Sequence, residues 1–201
     1  MPAQRMKSAL LRMIAVTLVI AAVPASAAQP APQMTPAQMI AAQRSAMAKL
    51  SSLDGVWRGS GWMIDQPGET PRQMTMTYRV GPALDRTIRI IEIRGYLADG
   101  SFGFHAFNTI SFDAQKNAYV MNARAAGRSG AFDFELATEG YVWRIGGADA
   151  GLHYAGSIKD QVWKESGRAI APGRDPVAMS EFTLRRVGDT DWPDAGAIGP
   201  K

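Results

Sequence analysis

Few side chains here are of the kinds that do chemistry, and their spacing limits what they can do. There are two histidines, His105 and His153, and no cysteine. Two separated imidazoles give none of the close ligand spacings of a zinc site, and without cysteine there is no thiolate nucleophile and no disulfide. Ser129 sits in Gly127-Arg128-Ser129-Gly130, a turn composition that lacks the Gly-x-Ser-x-Gly elbow and any histidine or acid at a readable spacing. Glu92, Glu135 and Glu165 are strand-borne carboxylates of the type that work in pairs as acid and base. Glu135 lies between Phe134 and Leu136 and should face solvent, and the sequence offers no way to pair the other two. What remains is a set suited to binding: Tyr78, Asn108, Asn122, Arg124, Trp143 and Tyr154. Their phenols, amides and guanidinium need hydrogen-bond partners wherever they face an interior. The sequence therefore designates no catalytic residue, no metal site and no cofactor, and it leans away from an enzyme.

Strands must position these residues. Residues 73–80 alternate so regularly that Met74, Met76, Tyr78 and Val80 share one face, with the threonines and Arg79 on the other. Asp99-Gly100 is a strong hairpin signal. A two-residue turn there sets Arg94 opposite His105, Ile93 opposite Ala106 and Glu92 opposite Phe107. The continuous apolar face, with Ile91, Ile93, Leu97, Phe102, Phe104 and Ala106, is then the interior, and His105 points outward; His153 does so by its own alternation with Leu152 and Tyr154.

Continued along the strand, the same parity turns Asn108, Ile110 and Phe112 inward. A turn over residues 113–117 pairs Asn108 with Asn122 and brings Arg124 into the same lumen. Tyr78 and Tyr154 add hydroxyls, while Met74, Met76, Phe134 and Trp143 form an apolar wall. Such a lumen suits an amphipathic compound whose polar or anionic end lies at Asn108, Asn122, Tyr78 and Arg124. The same residues also allow Arg124 at the rim and the two asparagines bonded to each other in a filled core.

Turn signals divide the rest of the chain into roughly nine or ten strands in all, the spacing of an antiparallel barrel. No convincing helical period follows Leu50, which excludes a doubly wound α/β sheet. Before it, Thr35-Pro36-Ala37-Gln38 reads as N-cap, first-turn proline and capping-box glutamine. The helix should occupy about residues 35–51 and pack through Met39, Ile40, Gln43, Met47 and Leu50.

The stretch Gly55-Val56-Trp57-Arg58-Gly59-Ser60-Gly61, a Gly-x-Trp opening a strand, is followed by these alternating strands and closed by Phe182-Thr183-Leu184-Arg185-Arg186. It resembles the calycins, the lipocalin-like barrels, and within them the nitrobindin-type branch and related bacterial barrels. The resemblance implies an all-β, up-and-down barrel over residues 53–187 that binds a small molecule in its lumen. It also implies a brace between Trp57 and Arg186 where first and last strands meet. Nitrobindin-type barrels hold haem through a histidine near the end of the barrel; residues 179–186 here contain none, so the resemblance implies the fold without the haem. The glycines of the opening stretch have a phosphate-loop flavour, but no Lys-Ser/Thr and no helix follows them, and close strand packing accounts for them better.

The N-terminus speaks for the compartment. Arg5, Lys7 and Arg12, an uncharged apolar run over residues 13–23 and Ala25-Ser26-Ala27 make a secretory signal peptide over residues 1–27, too short to span a bilayer. Cleavage after Ala27 removes three of 22 basic residues and no acidic one, leaving 19 against 18. The mature chain is nearly neutral, without a Lys/Arg cluster to track phosphates, so neither nucleic acid nor stable membrane insertion is expected. A linker over residues 28–34 and a Gly/Asp/Pro-rich tail over residues 188–201 complete the expected organisation of a periplasmic or secreted protein. Its partner is a small-molecule ligand. The alternatives are an isomerase or hydrolase using the same cavity, or an envelope protein with a filled barrel that binds another protein.

Overall fold

In a computed structural model, residues 34–194 are described. The expected signal peptide, almost all of the expected linker and the end of the tail lie outside the described residues. Helix α1 (Pro36–Ala48) begins as the sequence dictates: the Thr35 hydroxyl accepts from the Gln38 amide, and the Gln38 side chain accepts from the Thr35 amide at 2.8 Å. It ends two residues before Leu50, where the Lys49 amide turns back to Ala46 and a short 3-10 turn (Ser51–Leu53) leads into the first strand. Ala46, Met47, Leu50 and Leu53 are buried, each apolar side chain of this size contributing about 1.5–3 kcal/mol. Ile40, expected on that face, is 42% exposed. The helix has almost no apolar asymmetry of its own; its C-terminal turn is buried, while Met39 meets Gln115 and Arg44 pairs with Asp85 further along it.

Ten strands follow: β1 (Gly55–Met63), β2 (Arg72–Ala83), β3 (Ile88–Tyr96), β4 (Phe102–Asp113), β5 (Ala118–Ala125), β6 (Arg128–Ala137), β7 (Gly140–Gly146), β8 (Gly151–Lys159), β9 (Val162–Ile170) and β10 (Val177–Gly188). Each pairs antiparallel with the next, and β10 pairs with β1, so the sheet is a closed up-and-down barrel. Full closure leaves no edge strand to recruit other chains. At the β1–β10 seam the inward Gly59 lets the strands approach; a Cβ there would lie 2.0 Å from the Thr183 carbonyl oxygen.

Register decides which side chains see the lumen. Between β3 and β4, Arg94 pairs with His105, Ile93 with Ala106 and Glu92 with Phe107. Near the turn, however, a bulge pairs Tyr96 with Phe102, and the loop takes five residues, with Leu97 N–H donating to the Ser101 carbonyl. Phe102, expected inside, is consequently 57% exposed and packs its ring against His105 on the outer surface. Between β4 and β5 the turn is one residue tighter than the sequence suggests: Asn108 pairs with Ala123, not with Asn122. A one-residue slip exchanges the two faces of a strand. Met121 and Ala123 therefore face inward, and Asn122 and Arg124, opposite Thr109 and Phe107, face outward.

The barrel has two different ends. At one, α1 and the 3-10 turn cover Trp57, Val80, Ile110, Met121 and Leu184, all buried, and the Tyr119 hydroxyl donates to the Ala46 carbonyl at 2.9 Å. Arg89 is buried at this end, 2.6 Å from Asp54 in an ion pair that lacks hydrogen-bond alignment. Burial pushes the Asp54 carboxyl up despite that guanidinium. After β10 the chain returns along the outside of β2, with the Trp192 ring beneath the Arg79 guanidinium at 4.4 Å.

Candidate functional site

Inside the barrel one carboxyl stands among aromatic rings. On β9 the alternation turns Trp163, Glu165 and Gly167 inward, opposite Ile158, Gly156 and Tyr154 of β8. Two glycines make the arrangement possible. A Cβ on Gly156 would lie 2.2 Å from the Tyr141 ring, and one on Gly167 would lie 2.7 Å from the Tyr154 ring. Tyr141, from β7, thus crosses over Gly156 to reach its neighbour on the next strand. Its hydroxyl donates to Glu165 Oε2 at 2.5 Å and accepts from Trp163 Nε1 at 3.0 Å. The Tyr78 hydroxyl stands 3.5 Å from Oε1, at the outer limit of a hydrogen bond.

Electrostatics follow from this enclosure. Protein surrounds Glu165, yet the side chain keeps some accessible surface, and on an inward-facing residue that surface belongs to the lumen. Burial raises its carboxyl above the ordinary range, opposed by the hydrogen bonds from Tyr141 and Tyr78. Burial and then the neighbouring carboxylate hold the Tyr78 and Tyr141 phenols far above their usual value, and push Tyr154 up to about 12. The phenols are therefore donors at any physiological pH. Glu165 is the one group of the cluster that titrates below the phenol range. A carboxyl of this kind can hold a cation, accept a donor or move a proton.

Four of the six residues selected from the sequence meet in the lumen. Tyr78 touches Glu165, Tyr154 lies one step toward the open end, and Trp143 stacks on Tyr154 with ring centroids 4.1 Å apart. Asn108 is buried on the β4 wall with its side-chain oxygen lacking any protein partner. Asn122 and Arg124 are on the outer face, so the expected pair of amides under a guanidinium does not form inside. Sequence reasoning passed over Glu165 and Tyr141; the signal was there, since Glu165 alternates with Trp163, and Tyr141 with Trp143. Trp57 and Arg186 are register partners at the β1–β10 seam. Their polar contacts run to neighbouring residues and not to each other: Trp57 Nε1 donates to the Leu53 carbonyl at 2.9 Å, and Arg186 donates to the Asp54 carbonyl at 3.2 Å and pairs with Asp189.

Arg124 instead lines an outer groove of about 690 Å³ with Glu92, Arg94, Phe102, His105 and Phe107. The groove is shallow and open, and its one carboxylate is already held by Arg79 at 2.5 Å and Arg94 at 2.6 Å. The chemistry lies in the lumen. Neither histidine joins it: His105 is exposed outside, and the His153 ring nitrogen bonds the Gly147 carbonyl at 3.0 Å.

Fold and site together define a closed ten-strand antiparallel barrel with an acid among phenols in its lumen. The chain is similar in structure to the crystal structure of Rv2717c from M. tuberculosis, with a TM-score of 0.53 and 13% identity, over 70% of this chain and 96% of that one. At that identity the likeness is one of fold. No family model matches the chain, and no curated protein matches it.

Proposed function

We propose that this protein is an exported carrier or sensor that holds a small, largely apolar or amphipathic molecule in the lumen of its barrel. One observation carries the reading: the lumen is sealed at the helix end and accessible elsewhere. Met47, Leu50, Trp57, Trp163 and Leu184 are fully buried, while the inward-facing Phe104, Phe132, Trp143 and Tyr154 keep accessible surface. Aromatic walls with a few polar groups are the usual lining of a small-molecule site, and a barrel of this class has room for one such molecule. The basic start, apolar run and Ala25-Ser26-Ala27 support export.

Native mass spectrometry of the protein purified from its own cells tests the reading. A one-to-one small-molecule adduct is expected, on a chain whose mass begins at Ala28. A ligand-free spectrum, together with no saturable response to any amphiphile in a tryptophan-fluorescence titration, overturns it. A second reading, an isomerase using the same cavity, is favoured by the hydrogen-bonded Glu165–Tyr141 pair, which could move a proton on a bound substrate. Conversion of the co-purified molecule on incubation would distinguish turnover from carriage.

A further inference from the structure

The charges of the lumen are unevenly matched. Arg89 and Arg186, the inward cations at the sealed end, are matched by Asp54 and Asp189. Glu165 has no cation within ion-pair range among the described residues. Its Oε2 is engaged by Tyr141, but Oε1 has only the long contact to Tyr78. On the β4 wall the buried Asn108 Oδ1 is another acceptor without a partner among the described residues. The rings beside the carboxyl are Tyr78, Tyr141, Tyr154 and Trp163, and π faces attract cations.

Resting on the luminal reading above, we propose that the Glu165 cluster binds the cationic nitrogen head of an otherwise apolar organic molecule, an amine or a quaternary ammonium. The ring faces and the carboxylate hold the head, and the aromatic wall toward Trp143 takes the apolar body. An anionic head is disfavoured at the same place, because it would meet a carboxylate with no cation within ion-pair range among the described residues.

The inference carries a pH signature. The elements around Glu165 supply Gly156 and Ile158 from β8, Ser180, Phe182 and Leu184 from β10, and the phenols Tyr78, Tyr141 and Tyr154. Of these only Glu165 titrates below the phenol range. A permanently charged ligand therefore loses affinity as pH falls and Glu165 takes up its proton.

The test is a tryptophan-fluorescence titration of the protein with three probes of equal chain length: decyltrimethylammonium, decanol and decanoate. Expected is saturable one-to-one binding of decyltrimethylammonium, roughly tenfold or more tighter than decanol, with decanoate weakest. Glu165→Gln should lower that affinity by a similar factor while leaving decanol unchanged, and acidification should weaken the ammonium probe alone. Decanol binding as tightly as the ammonium, or an ammonium affinity indifferent to pH, overturns the head-group assignment and leaves the luminal reading standing. No binding of any probe overturns both. Should Glu165→Gln fail to fold, the pH series on the unaltered protein decides.

Discussion

Tyr141→Phe isolates the central hydrogen-bond chain, because it removes one oxygen and leaves the ring. The ring keeps its stacking on Phe134, with centroids 5.1 Å apart, so almost no volume is lost. What is lost is the acceptor for Trp163 Nε1 at 3.0 Å and the donor to Glu165 Oε2 at 2.5 Å. Trp163 is only 1% exposed, so its indole N–H has no route to bulk water. Orphaning a buried donor costs about 1–3 kcal/mol, and the bond lost by the carboxyl adds about 1 kcal/mol. The sum is about 2–4 kcal/mol, or roughly 5–15 °C in melting temperature for a domain of this size. Urea denaturation should show a lower midpoint at unchanged slope. Tyr154→Phe is the control: its hydroxyl makes no protein hydrogen bond among the described residues, and its cost should stay within about 0.5 kcal/mol. If the two variants lose the same small amount, the Trp163–Tyr141–Glu165 chain is not a structural unit.

Three further outcomes are expected. Burial holds the folded-state pKa of Glu165 above its unfolded value, so the native state binds the proton more tightly. The associated stability is full below the unfolded carboxyl range and is lost as pH rises through the folded value; Glu165→Gln should flatten the fall in stability as pH rises above the ordinary carboxyl range, and an unchanged slope would locate the effect elsewhere, with Asp54 the next candidate. Asp54→Ala leaves the Arg89 guanidinium, 4% exposed, without its ion pair, and calorimetry should register a loss of about 3–5 kcal/mol. Haemin should give no stoichiometric Soret complex, since both histidines face outward; a tight complex abolished by His105→Ala would contradict the β3–β4 register.

The sequence carried the strands well wherever alternation was long. Residues 73–80 needed nothing beyond their own pattern, and the body of the β3–β4 hairpin followed from Asp99-Gly100. It failed where the answer depended on turn length. The β4–β5 turn is one residue tighter than its polar composition suggests, which sends Asn122 and Arg124 outside. The bulge after Gly95 does the same to Phe102. Neither is written locally, because polar turn residues fit several turn lengths while the face of every later side chain depends on which is used. Glu165 was recognisable as a strand carboxylate. Its partners were not, because Tyr141 and Tyr78 lie 24 and 87 residues away along the chain and reach it only across the closed barrel.

That closure also reverses the polarity of the candidate site. With Arg124 inside, the lumen would offer a cation to an anionic ligand; with Arg124 outside, the guanidiniums of the sealed end, Arg89 and Arg186, face Asp54 and Asp189, and Glu165 has no counter-ion within ion-pair range among the described residues. A buried carboxyl without a counter-ion is costly, and a protein can lower that cost by keeping it protonated or by supplying phenol donors. Here phenol donors are supplied and burial raises the carboxyl's pKa, yet Oε1 is engaged only by the long contact to Tyr78. A carboxyl kept only for stability would be better served by a glutamine, which satisfies Tyr141 without a charge. The phenols, the two ring-admitting glycines and the weakly engaged oxygen are instead the arrangement expected where a charge is held ready for something that enters the barrel.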